Sequence, residues 1–269
     1  MPISPVSLAS LLLQPKVNGH ALGTATGFIF KQLNQNYLVT NWHVLSGRDR
    51  ETGQPMANSG ATPDTVDIRY LRRDVLPGLT WFDVSEPLED EAGRPLWLEH
   101  PRFGRRVDVV ALPLTSTAPI AFFPYDPSFL KPSMRAVVSD WINIVGFPFG
   151  LSGGGSDGSS YAVWTKGAVA TEMDVNFDGL PCFLIDSRSR KGQSGSPVVS
   201  YAPSGTIIDE EGKTVFLGEP RTNLLGVYSG RINSESDLGH VWKATTILDV
   251  VRGRTRGSNT LKPPTPAQG

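Results

Sequence analysis

With a single cysteine, Cys182, the 269-residue chain cannot form an internal disulfide, which excludes the stapled frameworks of small secreted domains. No apolar run comes near the roughly 18 residues that a membrane-spanning helix needs. The first 14 residues carry no basic cluster, and the apolar patch at residues 8–13 is too short for a secretory leader. That patch reads instead as a short helix packed on the domain, and a cytoplasmic location is expected. Net charge is missing too. The 25 Lys and Arg residues nearly balance 26 Asp and Glu, which argues against nucleic acid or an anionic membrane as the main partner. Histidines are few, and His20, His43, His100 and His240 show no ligand spacing with one another or with Cys182. No metal site is expected.

What the chain does have is punctuation. Its 28 Gly and 22 Pro residues break the sequence into short apolar runs, the pattern of an all-β protein. Val66, Ile68 and Tyr70 alternate with Asp67 and Arg69, which predicts a strand. Residues 26–30 and 36–40 read as a hairpin, and residues 142–146, 161–171, 182–186, 197–200, 214–217 and 224–229 as further strands. Residues 48–63 and the acidic stretch 83–93 read as solvated loops. The glycine-rich stretch 151–160 reads as a mobile loop, without the Gly-Lys-Ser/Thr ending of a phosphate cradle. Residues 244–251 suggest a short helix, and 253–269 a disordered tail.

One stretch carries chemistry. Lys191-Gly192-Gln193-Ser194-Gly195-Ser196-Pro197 places a serine in a glycine-flanked turn before the apolar pair Val198-Val199. Gly192 and Gly195 permit backbone angles that a side chain disfavours. Such a turn can present a hydroxyl together with the N–H groups of Gly192 and Ser194, the parts of a nucleophile and an oxyanion hole. It could equally be a hairpin with an exposed serine, so partners must decide. Leu38-Val39-Thr40-Asn41-Trp42-His43 is an apolar strand that breaks before a histidine, and Val107-Asp108-Val109-Val110-Ala111-Leu112 holds one aspartate in an apolar run. A serine needs a base, and the base needs an acceptor on its second nitrogen. Asp108 suits that role better than Asp67, on the polar face of a strand, or Asp83, in an acidic stretch. The order His43, Asp108, Ser194 has spacings of 65 and 86 residues.

These motifs, with Gly23-Thr24-Ala25-Thr26-Gly27-Phe28 and Leu225-Gly226-Val227-Tyr228-Ser229, resemble those of the trypsin-like, chymotrypsin-fold serine proteases. The likeness spans residues 21–250, and is nearer to the bacterial high-temperature-requirement and glutamyl endopeptidase branches than to digestive enzymes. It implies two packed six-stranded antiparallel β-barrels with a short C-terminal helix. The division would be an N-terminal extension over 1–20 and a first barrel over 21–114. A crossing segment over 115–134 would follow, then a second barrel and helix over 135–252 and a tail over 253–269, with no room for a PDZ-type domain. Phe122, Phe123 and Tyr125 would pack the crossing segment on the body.

The resemblance also implies a polypeptide substrate, no cofactor, and a pocket with Arg188 at its base and Tyr228, Ser229, Gly230 and Arg231 along its wall. Arg188 could instead face solvent. Gln193 stands where zymogen-type relatives carry an aspartate that pairs with a newly cut N-terminus. Control by a regulatory protein partner or by loops is therefore expected, rather than by cleavage. A peptide-binding pseudoprotease and an esterase remain alternatives.

Overall fold

The computed structural model describes residues 3–73, 79–116, 118–131, 134–154, 158–233 and 235–258. Its first half is an antiparallel sheet of nine strands. Neighbour to neighbour they are Thr255–Arg256, Leu98–Glu99, Val110–Pro113, Gln35–Thr40, Ala25–Gln32, Ser10–Val17, Thr65–Leu71 and Trp81–Pro87, with His20–Ala21 folded back on Ser10–Val17. Six of these are longer strands, of four to eight residues, and three are two-residue additions. The second half closes as a six-stranded barrel in the order Val163–Val169, Cys182–Asp186, Leu238–Lys243, Arg221–Arg231, Pro197–Ala202, Trp141–Gly146. The strand Thr214–Leu217, expected within this sheet, pairs only with Gly205–Ile208 as a separate hairpin.

Each half has its own apolar interior. Leu13, Ile29, Leu38, Val66 and Ile68 fill the first, and Ile142, Ile144, Phe183, Ile185 and Val241 the second. A third cluster lies between the halves. It joins Phe28, Phe30, Val39, Val107 and Val109 to Phe147, Val199, Val227 and Trp242. The helix Thr245–Gly253 adds Ile247, Val250 and Val251 to it. Burying each such side chain is worth about 2 kcal/mol, so the two halves are held firmly face to face. Tyr125 of the crossing segment packs edge-on against Phe28, and Phe122 against Tyr70, as expected.

Three expectations are corrected. Residues 10–17, placed in an N-terminal extension and read in part as helix, form a strand between Ala25–Gln32 and Thr65–Leu71, preceded by a one-turn helix Pro5–Ala9. Leu11 and Leu13 enter the first interior while Leu12 packs on the seam, so a two-sided strand appears as an unbroken apolar run. Residues 81–87 are an edge strand rather than a loop. There Asp83 lies out in solvent and pairs with Arg69, while Glu86 is buried. Residues 255–256, placed in the tail, pair with Leu98–Glu99. The expected disorder over 259–269 falls outside the described residues, as do residues 155–157 of the glycine-rich loop.

Candidate active site

The site lies on the seam. The strand Gln35–Thr40 ends fully buried, with Leu38 in the first interior and Val39 on the seam between the halves. The chain then turns into the one-turn helix Trp42–Ser46, which Gly47 closes at a φ of 64° with its N–H on the His43 carbonyl. Trp42 anchors this turn through its indole N–H on Glu99 at 2.9 Å. His43 thereby projects from a fixed base. Asp108 follows the turn Gly104–Arg106 and sits among Val107, Val109 and Val110, itself only 1% exposed.

A carboxylate so deep must be satisfied by hydrogen bonds. Asp108 Oδ2 is 2.7 Å from His43 Nδ1, and its Oδ1 accepts from the His43 backbone N–H at 2.9 Å. The Ser229 hydroxyl donates to Oδ2 at 2.5 Å, and the Asn41 amide holds the Asp108 carbonyl at 2.7 Å. Burial works to lower the His43 pKa, but the Asp108 charge and hydrogen bond outweigh it and the value is raised above 6.5. Asp108 shows the reciprocal effect. Burial works to raise its pKa, yet His43, Ser229 and the backbone N–H hold it below the usual carboxylate value.

Ser194 occupies the turn that the sequence predicts, with Gly192 at a φ of 92° and Gly195 at 84°. Both glycines are required by space as well. A Cβ on Gly195 would lie 2.0 Å from the Thr26 carbonyl, and one on Gly192 would lie 2.4 Å from the Phe147 carbonyl. The Ser194 hydroxyl donates to the Ser229 carbonyl at 3.2 Å, and among the described residues no hydrogen bond joins it to His43. Unliganded sites of this kind often tighten only when substrate arrives. His43, Gly192 and Ser194 line one open cleft of about 470 Å³.

The Lys191 carbonyl accepts from Phe149 N–H at 2.6 Å. A trans peptide points its C=O and N–H in opposite directions, so the Gly192 N–H is aimed away from that contact. Among the described residues, neither the Gly192 nor the Ser194 N–H has a protein acceptor.

Two supports escaped the sequence reading. Thr26, in the first half, donates its hydroxyl to the Gly192 carbonyl at 2.8 Å and accepts from Phe147 N–H at 3.0 Å. Its own N–H donates to the Ser194 carbonyl at 2.9 Å. Losing that hydroxyl would strand two buried backbone groups at about 1–3 kcal/mol each. Gln193 is fully buried, accepting from Arg190 N–H at 2.7 Å and donating to the Thr165 hydroxyl at 2.8 Å. Its amide is thus satisfied at both ends within the second barrel. A threonine in an apolar strand and a glutamine beside a serine gave no signal of partners so far away.

The pocket residues are brought together only in part. Arg188, Arg231, Tyr228 and Gly230 share a cleft of about 590 Å³ with Ser194. Arg188 is exposed and so does not form the base; that place is taken by buried Tyr228, whose hydroxyl bonds buried Ser189. Chain direction explains the difference, because alternate residues leading into the turn, Ser187 and Ser189, point inward. Arg188, Arg190, Lys191 and Arg231 stand around the opening with one acid, Asp237. Ser229 lies between Asp108 and Ser194, donating its hydroxyl to the first and accepting from the second at its carbonyl.

The trypsin-like peptidase domain family matches residues 25–208, a stretch that includes His43, Asp108 and Ser194. No curated protein matches the chain. A serine endoprotease from Yersinia pestis aligns at 13% identity with a TM-score of 0.48, over 94% of this chain and 66% of its own length. The chain thus spans just under two thirds of that protein. The active form of the Rv3671c protease from M. tuberculosis aligns at 14% identity with a TM-score of 0.47, over 94% and 83%. The family match covers well over half of the chain, and the chain belongs to the trypsin-like peptidases.

Proposed function

We propose that the chain is a serine endopeptidase, of a kind nearer to the bacterial high-temperature-requirement and glutamyl branches than to disulfide-bonded digestive enzymes. In this reading His43 takes the Ser194 proton as the hydroxyl oxygen attacks a peptide carbonyl. Asp108 keeps the Nδ1 proton in place and stabilises the imidazolium. The Gly192 and Ser194 N–H groups receive the oxyanion. His43 then protonates the departing amine, and water hydrolyses the acyl-enzyme with His43 again as base. The observation that carries the reading is the pairing of a buried, Asp108-held imidazole with a serine turn whose two N–H groups await an acceptor.

The amide of Gln193 is already satisfied, so no new N-terminal amine is needed to shape the turn. The intact chain is expected to react with a fluorophosphonate at Ser194 without prior cleavage, since residues 10–17 are an interior strand of the first sheet and must be kept. Labelling that appears only after limited proteolysis of the intact chain would overturn that part of the reading, and failure to label before and after proteolysis would overturn the whole.

The four cations around the opening set the expected preference. A carboxylate hydrogen-bonded directly to one of them gains about 1–3 kcal/mol, and a Lys or Arg side chain loses through like-charge repulsion. Poor cleavage after Lys and Arg is expected in a peptide library, with cleavage after Asp, Glu or small neutral residues favoured. Dominant cleavage after Lys or Arg would refute the assignment of this pocket.

A further inference from the structure

A further cavity, of about 410 Å³, lies on the seam beside the strand Leu238–Lys243, which pairs with Arg221–Arg231. The first half contributes Arg50, Arg105 and Arg106 to it, and the second Phe177, Cys182 and His240. Arg105 is 8% exposed, with its guanidinium carbon 6.0 Å from the Trp42 ring centre. Among the described residues no carboxylate lies within ion-pair distance of it. Glu99 acts on it through charge alone, being engaged by the indole N–H groups of Trp42 and Trp97. Arg50 lies over the Trp242 ring at 5.2 Å and bonds the Arg106 carbonyl and exposed Glu51, each at 3.3 Å.

The other lining groups supply little negative charge. Burial holds the Cys182 thiol up at about 11, and burial with Arg50 keeps the His240 pKa low, so both are neutral near pH 7. Glu51 and Asp178 are exposed acids at the rim. The buried part of the lining is therefore cationic, and a buried guanidinium without a carboxylate in contact is a costly arrangement unless something completes it.

The register of the strands says what reaches this cavity. Tyr228 pairs with Val241, and both side chains point into the barrel interior. Past the bulge Gly230 pairs with His240, whose side chain faces the seam cavity. Gly230 itself lines the Ser194 cleft, and a Cβ there would meet nothing within 4 Å, so the strand is open to an incoming chain at this point. A peptide added along the free edge of residues 229–231 would send alternate side chains to opposite faces. With the residue before the scissile bond in the Tyr228 cleft, the second and fourth residues before that bond face the arginines.

We propose that this cavity is an acidic-residue subsite, binding an Asp or Glu side chain of the peptide substrate at the second or fourth position before the cleaved bond, through Arg105 and Arg50. The proposal rests on the protease reading above. It adds a requirement upstream of the bond that is separate from the preference at the bond itself.

The test uses fluorogenic peptides identical except at those two positions, each carrying Glu, Gln or Lys. The full chain, Arg50→Gln and Arg105→Gln are compared, with fluorophosphonate titration counting the competent sites in each. The parent is expected to cleave a Glu peptide at least about tenfold faster in kcat/KM than its Gln partner at one of the two positions, chiefly through KM. Lys should fall below Gln. The Glu/Gln ratio should collapse in either variant that titrates, and should shrink as ionic strength rises. A parent that labels yet shows a ratio near one overturns the subsite alone, as does a ratio that survives in Arg50→Gln and in Arg105→Gln. A parent that neither labels nor cleaves overturns the protease reading, and the subsite with it.

Discussion

Replacing Ser194 with alanine is expected to lower kcat/KM by at least about a thousandfold while leaving the fold in place. The hydroxyl is only partly buried and makes one hydrogen bond, to the Ser229 carbonyl at 3.2 Å. Its removal should change stability by no more than about 1 kcal/mol. The main-chain groups of residue 194 keep their places, because Thr26 N–H holds the carbonyl and Gly195 N–H remains on the Tyr228 carbonyl. The oxyanion site thus survives, and a small residual rate over water is expected. Unfolding curves recorded alongside the kinetics separate chemistry from damage. A clean preparation retaining activity within tenfold of the parent would show that Ser194 is not the nucleophile.

Asp108→Asn should be severe as well, about ten-thousandfold at neutral pH, for a different reason. An asparagine can offer an N–H where Oδ2 now accepts, turning the imidazole to the wrong tautomer. The pH profile adds a signature. The reaction needs neutral His43, and Asp108 raises the His43 pKa against the lowering effect of burial. In the parent, kcat/KM should therefore fall as the pH drops through a value above 6.5. In the variant, burial, joined by Arg50, outweighs the weaker pull of Asp49, so the weak remaining activity should persist to lower pH. An acid limb that stays in place in Asp108→Asn would show that the carboxylate does not control His43.

His43, Asp108 and Ser194 could be read from the sequence because each announces itself locally. One ends an apolar strand, one interrupts an apolar run, and one sits between glycines. The N-terminal strand was less legible, since Leu11-Leu12-Leu13 faces apolar surroundings on both sides and a short unbroken run fits helix and strand alike. The edge strand Trp81–Pro87 was hidden by charges that an exposed edge tolerates well. Thr26, Arg50 and Arg105 gave nothing away, and Gln193 stood out only for the charge it lacks, not for the partners that satisfy its amide. What matters about Thr26 is a carbonyl 166 residues further on, and only the completed fold supplies it.

The strand Thr255–Arg256 also bears on how the molecule is made. It pairs with Leu98–Glu99, and Ser258 N–H reaches the same Glu99 oxygen that holds Trp42, the residue before His43. The half of the molecule that carries His43 is therefore finished by residues synthesised only after the strands of the second barrel. Such long loop closures are slow to form, and they order the events of folding. A nascent chain still attached to the ribosome short of residue 255 already contains His43, Asp108 and Ser194. It lacks the last strand of the sheet that carries His43.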